Sequence, residues 1–171
     1  TLVEDATGPN YQSVALDAGV TAHQPHTGGD TRQSTAWHSE FADVNNDAFM
    51  DLFVAKGNIE AMPETAAKDP SNLLIGQPDM TFVEGAEAAG IVDYARARGA
   101  ALVDFNLDGL LDIVEVTRRE KVRLWRSVGA GDAATPAAMG HWAAVRLEQA
   151  APNRDAIGAW VTVKVGDRTI D

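Results

Sequence analysis

The chain of 171 residues has no cysteine. That excludes a disulfide scaffold, a thiol nucleophile and any cysteine-ligated zinc or iron–sulfur centre. No apolar run approaches the ~20 residues needed to cross a membrane as a helix, and no stretch carries a long amphipathic helical pattern. Positive charge is scarce, with 14 Lys and Arg against 25 Asp and Glu, for a formal charge of −11. Such an excess of acid disfavours nucleic acid as a partner, because neutralising phosphate needs a surplus of Lys and Arg. The first residue is Thr1 rather than Met, and no signal peptide is visible, so the sequence reads as a processed or excised piece. What remains is 45% hydrophobic, with Trp, Phe, Val, Ile and Leu recurring throughout. That is enough for one domain with a core, or two small ones.

The acid is concentrated in two similar segments, FADVNNDAFMDLFVAKG (41–57) and LVDFNLDGLLDIVEVTR (102–118). Asp43, Asn45, Asp47 and Asp51 in the first correspond to Asp104, Asn106, Asp108 and Asp112 in the second, each residue 61 positions further on. The similarity extends upstream, where YQSVALDAGV (11–20) matches TFVEGAEAAGI (81–91). Self-similarity at such a period indicates repeated units that bury their apolar faces against one another.

Oxygen ligands at alternate positions of a tight loop can converge on one hard cation, and Ca2+ accepts six to eight of them. Four side chains per loop, the carbonyl of Phe49 or Leu110 and one or two waters would complete that sphere. Mg2+ suits the pattern less well, since it retains more of its own water. The competing explanation is an Asp/Asn-rich turn held by side-chain to backbone hydrogen bonds. Ala48 stands where the second loop has Gly109. If that position needs a positive φ, Ala48 costs about 1 kcal/mol and the first loop is the weaker site.

The second loop also fits the EF-hand spacing, with Glu115 at the twelfth position, whereas the first loop has Val54 there. The flanks DLFVAK and DIVEVT are short and β-branched, so strands rather than helices are expected, with Glu115 facing solvent. Residues 72–77 and 81–85 read as a hairpin around Gln77-Pro78-Asp79. Strands are also expected at 120–127, with Val122 and Leu124 on one face, at 141–149 and at 160–167. AEAAGIVDYARA allows a helical turn. Small and turn-rich stretches at 57–71 and 128–140 read as linkers. The expected fold is therefore mostly β. Its parts are a repeat region over 1–130 and a separate small β domain over 138–171.

The remaining candidates are weaker. His23, His26 and His38 lie close in sequence but lack a supporting carboxylate, so they read as loop histidines rather than a transition-metal site. His141 beside Trp142 reads as a strand-entry packing feature. Arg118, Arg119, Lys121, Arg123 and Arg126 surround Trp125 and read as a solvated face that balances nearby acid. The serines lack a nucleophile-elbow context.

Acidic D-x-N-x-D-G-x-x-D loops between strands, repeated at this spacing, resemble the FG-GAP/VCBS repeats of integrin-like β-propellers. The tail from His141-Trp142 through Val145-Arg146-Leu147 to Asn153-Arg154-Asp155-Ala156-Ile157-Gly158-Ala159 resembles the start of an ASPIC/UnbV domain. The two occur together in secreted bacterial proteins and in animal cartilage acidic protein. The resemblance implies about two propeller blades followed by the first strands of the second domain. It also implies two Ca2+ ions, held by Asp43, Asn45, Asp47 and Asp51 and by Asp104, Asn106, Asp108 and Asp112. It carries no catalytic residues. The implied setting is extracellular or periplasmic, without membrane insertion. The implied partner is a protein, matrix component or polysaccharide, or a second copy meeting exposed blade edges. The alternative reading is the accessory repeat region of a secreted hydrolase or lyase.

Overall fold

The computed structural model describes residues 11–13, 17–20, 35–58, 69–131, 136–137 and 139–170. Among these the structure is mostly β, with antiparallel sheets and no helix. His23, His26 and most of the 57–71 linker lie outside the described residues.

Two sheets make up the repeat region. The first has four strands in the order β1 (Ala36–Ala42), β2 (Asp51–Lys56), β3 (Asn72–Gly76) and β4 (Phe82–Glu84). The second has three, β5 (Ala97–Val103), β6 (Asp112–Thr117) and β7 (Arg123–Trp125). Their hairpins pair in the same register. Ala42 faces Asp51 as Val103 faces Asp112, and Phe41 faces Leu52 as Leu102 faces Ile113. Even the irregularity recurs, between Ala36 and His38 and again between Ala97 and Gly99. The third strands follow suit, Leu74 pairing with Leu52 and Trp125 with Ile113. Each acidic loop thus joins the first two strands of its sheet.

The core lies between the sheets. Phe53, Ala55 and Leu73 from the first meet Ala97, Leu102 and Ile113 from the second, with Ala86 and Ile91 closing one side. Ala86 opens the turn at 86–90 and Ile91 follows it; within it Ala89 N donates to Gly85 O at 2.9 Å, a single helical turn that goes no further. A cross-sheet bond joins Leu102 N to Glu40 Oε2 at 3.1 Å.

Several sequence expectations change. Glu115 is only 2% exposed, not solvent-facing. Along β6, Ile113, Glu115 and Thr117 point inward while Val116 is exposed, because the sheet's register is set by Ile113 and its core neighbours. The strand expected at 120–127 is confined to β7, where Leu124 is exposed, as is Val122 before it, and Trp125 packs against the core. His38 is a strand residue, its Nε2 lying 3.4 Å from Glu40 Oε2, rather than a loop histidine. The hairpin around Gln77-Pro78-Asp79 is present, tightened by Thr81 Oγ1 donating to Asp79 Oδ1 at 2.6 Å.

Beyond β7, β8 (Ala130–Gly131) pairs with β9 (Pro136–Ala137) and β10 (Val163–Val165) pairs with β11 (Arg168–Ile170). Residues 141–149 form no strand, and the 160–167 strand is confined to Val163–Val165. The alternation in 141–149 has no neighbouring strand to receive its backbone hydrogen bonds, so periodicity alone does not make it a strand.

Candidate metal centres

The two acidic loops are built alike, atom by atom. In the first, Asp43 accepts from Asp47 N at 3.0 Å and from Ala48 N at 2.8 Å, one amide per carboxylate oxygen. In the second, Asp104 accepts from Asp108 N at 3.1 Å and from Gly109 N at 2.8 Å. Asn45 Oδ1 and Asn106 Oδ1 take the amides of Asp47 and Asp108. Their Nδ2 groups donate to Asp47 Oδ2 at 2.9 Å and Asp108 Oδ2 at 2.6 Å. Asp47 Oδ1 and Asp108 Oδ1 accept from Phe49 N and Leu110 N.

The ninth residue of each loop serves differently. Asp51, fully buried, accepts from Val44 N and from Gly76 N, both at 2.8 Å, tying its loop to β3. Asp112, 3% exposed, accepts from Phe105 N at 3.3 Å and from Ser127 N at 2.8 Å. Burial pushes the Asp51 carboxyl above the usual carboxylate range. The Gly76 and Val44 amides pull it back, and the charges of Asp47 and Asp43 push it up again.

Each loop holds two left-handed residues, one at the position of Ala48 and Gly109 and one two residues before it. Asn46 (φ 58°) and Ala48 (φ 66°) in the first match Leu107 (φ 60°) and Gly109 (φ 83°) in the second. The condition set for Ala48 is therefore met, at a cost of about 1 kcal/mol for its Cβ. Gly109 has a second reason to be glycine, because a Cβ there would overlap the indole of Trp142. Gly109→Ala should accordingly destabilise by about 2 kcal/mol or more, whereas Ala48→Gly should change stability by less than about 1 kcal/mol. Urea midpoints of the two variants test this, and equal effects would refute the role given to Trp142.

The donor set suits a hard divalent cation, since every side-chain oxygen comes from Asp or Asn and Asp47 is exposed. Convergence is another matter. Among the described residues no three His, Asp or Glu side chains are gathered closely enough to hold a metal ion. The loops stand closed on their own amides.

The two loops also touch. Asn46 Nδ2 donates to Gly109 O at 3.1 Å, and Gly140 N donates to Asn45 O at 3.3 Å. An open cleft of about 450 Å³ beside the second loop is lined by residues including Asp108, Val128, Met139, His141 and Trp142. Arg126 reaches towards Asp108 at 3.8 Å, and Arg123 pairs with Asp93 and Glu120, so these basic residues neutralise local acid.

A buried polar network lies where the sheets meet, and no motif announces it. Lys56 Nζ pairs with Asp69 Oδ2 at 2.8 Å. Ser71 Oγ accepts from Lys56 N at 3.2 Å and donates to Glu115 Oε2. Burial raises the Glu115 carboxyl, and the charge of Asp93 adds to this, while Ser71 and Arg123 oppose it. The stability this group contributes is full below its unfolded value near 4.5 and is lost as pH rises through the higher folded value. Glu115→Gln keeps an acceptor for Ser71 and removes the buried charge. It should therefore be more stable than wild type at pH 7, and the difference should vanish at pH 4. A constant difference at both pH values would contradict the assignment.

No protein-family model matches the chain, and no curated protein matches it. No helix among the described residues is long and apolar enough to cross a membrane.

Proposed function

We propose that this chain is a calcium-binding β-repeat module of an extracellular or periplasmic protein, used for adhesion, protein binding or scaffolding rather than catalysis. The observation that carries the reading is the duplicated loop. Two segments 61 residues apart share register, left-handed positions and hydrogen-bond partners, and place the same oxygen donors at the same positions. The β1–β4 sheet and the β5–β7 sheet are antiparallel meanders, as the blades of an FG-GAP-like propeller would be.

In this reading Asp43, Asn45, Asp47 and Asp51 hold one Ca2+, and Asp104, Asn106, Asp108 and Asp112 hold the other. The cation supplies charge neutralisation at carboxylates that otherwise repel one another. Two ions would offset four of the eleven excess negative charges. The turn between the first two strands of each sheet is thereby stiffened, and the sheet edges are presented to a protein, matrix or polysaccharide partner.

Calcium titration of the full chain by calorimetry, with native mass spectrometry to count ions, tests the proposal. Two equivalents are expected for wild type and one for Asp104→Ala/Asp108→Ala. Absence of binding at millimolar CaCl2, or equal binding by that double variant, would overturn it.

A further inference from the structure

The segment after β9 touches the acidic loops through one backbone hydrogen bond and one indole side chain. Gly140 donates its amide to Asn45 O at 3.3 Å, and a Cβ at position 140 would overlap Asn46 O. Two residues on, the Trp142 indole covers Gly109 closely enough to exclude a Cβ there. Asn46 completes the connection by donating Nδ2 to Gly109 O at 3.1 Å. The contacts fall on left-handed or immediately adjacent positions: Asn45 next to Asn46 (φ 58°), and Gly109 (φ 83°). The Asn45 carbonyl is presented to Gly140, and the Gly109 carbonyl to Asn46, only while each loop keeps its turn.

We propose that residues 139–142 form a strap seated across both loops, so that cation occupancy of the loops and docking of the strap favour each other. The proposal rests on the calcium reading of the loops. Neutralising Asp43 and Asp47, or Asp104 and Asp108, holds the turn that exposes the carbonyls of Asn45 and Gly109 to their partners. Linkage requires the reverse as well: a docked strap, by holding the turn, raises affinity for the ion. The Asn46–Gly109 bond means that filling one loop also orders the other. The two sites are therefore expected to bind cooperatively. The repeat region would thus control the chain that follows it through its metal loops.

The experiment uses the full chain, Gly140→Ala and Trp142→Ala, with CaCl2 as the probe. Both substitutions lie outside the two sheets, and unchanged far-ultraviolet circular dichroism verifies folding. Hydrogen exchange at the Gly140 amide is compared with and without Ca2+, and affinity is measured by calorimetry. In wild type, Ca2+ should slow exchange at Gly140 about tenfold. Each variant should bind Ca2+ more weakly by a similar factor, with Trp142→Ala acting mainly on the second loop. Binding with unchanged Gly140 exchange and wild-type affinity in both variants would overturn the strap while leaving the calcium sites standing. No calcium binding by wild type would overturn both.

Discussion

Asp51→Ala should lower stability by about 3 kcal/mol in the presence of chelator, where metal cannot contribute. Both Asp51 oxygens accept backbone amides, from Val44 and from Gly76, and the side chain is fully buried. A hydrogen bond to a charged acceptor is worth about 1.5–3 kcal/mol, and an orphaned buried donor adds its own desolvation cost. Relief of repulsion from Asp43 and Asp47, which raises the Asp51 carboxyl, returns part of this. At about 2–4 °C per kcal/mol for a chain of this size, the melting temperature should fall by roughly 10 °C. Asp47→Ala provides the contrast. Its exposed side chain accepts from Asn45 Nδ2 and Phe49 N of its own loop, so in chelator it should cost no more than about 0.5 kcal/mol. With calcium added, Asp47→Ala should lose the metal's stabilisation, worth about 2.7 kcal/mol at a hundredfold excess over Kd. Equal effects of the two substitutions in chelator would show that the buried amide bonds of Asp51 do not set it apart from Asp47.

That division was only half legible in the sequence. The spacing marked Asp51 and Asp112 as loop residues of the same kind as Asp43 and Asp104. Only the register of β2 against β3 shows that Asp51 also reaches the Gly76 amide. The strands on either side were legible because DLFVAK and DIVEVT are β-branched and apolar, and the hairpin at 77–81 because Pro and Asp specify its turn. Glu115 was not, because alternation gives two equivalent faces. The choice between them was made by the core that receives Ile113, and Ser71, more than forty positions away, meets Glu115 there. The inward face of β7 has the same origin, since Trp125 pairs with Ile113 and follows it into the core. Residues 141–149 mark the opposite failure, a strand pattern with no strand to pair with. Long-range partners decided each of these cases, and a pattern of local periods carries no record of them.

Asp69→Ala should be more damaging still, costing about 3–5 kcal/mol at neutral pH, because it strands a buried ammonium. Lys56 is 5% exposed and Asp69 1%, with Nζ and Oδ2 2.8 Å apart. Burial already draws the Lys56 ammonium below its ordinary value, and the Asp69 carboxylate is what opposes that fall. Without Asp69 the folded state should give up the Lys56 proton more readily. A folded value below the unfolded 10.5 means that the unfolded chain binds more protons across that interval, so stability rises with pH there. The Asp69→Ala deficit should therefore shrink between pH 7 and pH 9.5, whereas an exposed control such as Glu148→Ala should not change over that range. Lys56→Met combined with Asp69→Leu should recover most of the loss, since a packed apolar pair replaces a buried ion pair at little cost. A double-mutant cycle in urea should give a coupling of about 2–4 kcal/mol. A deficit under about 1 kcal/mol, or one that stays constant with pH, would mean that the ammonium finds water in the variant and that the junction between the two sheets is less closed than its burial implies.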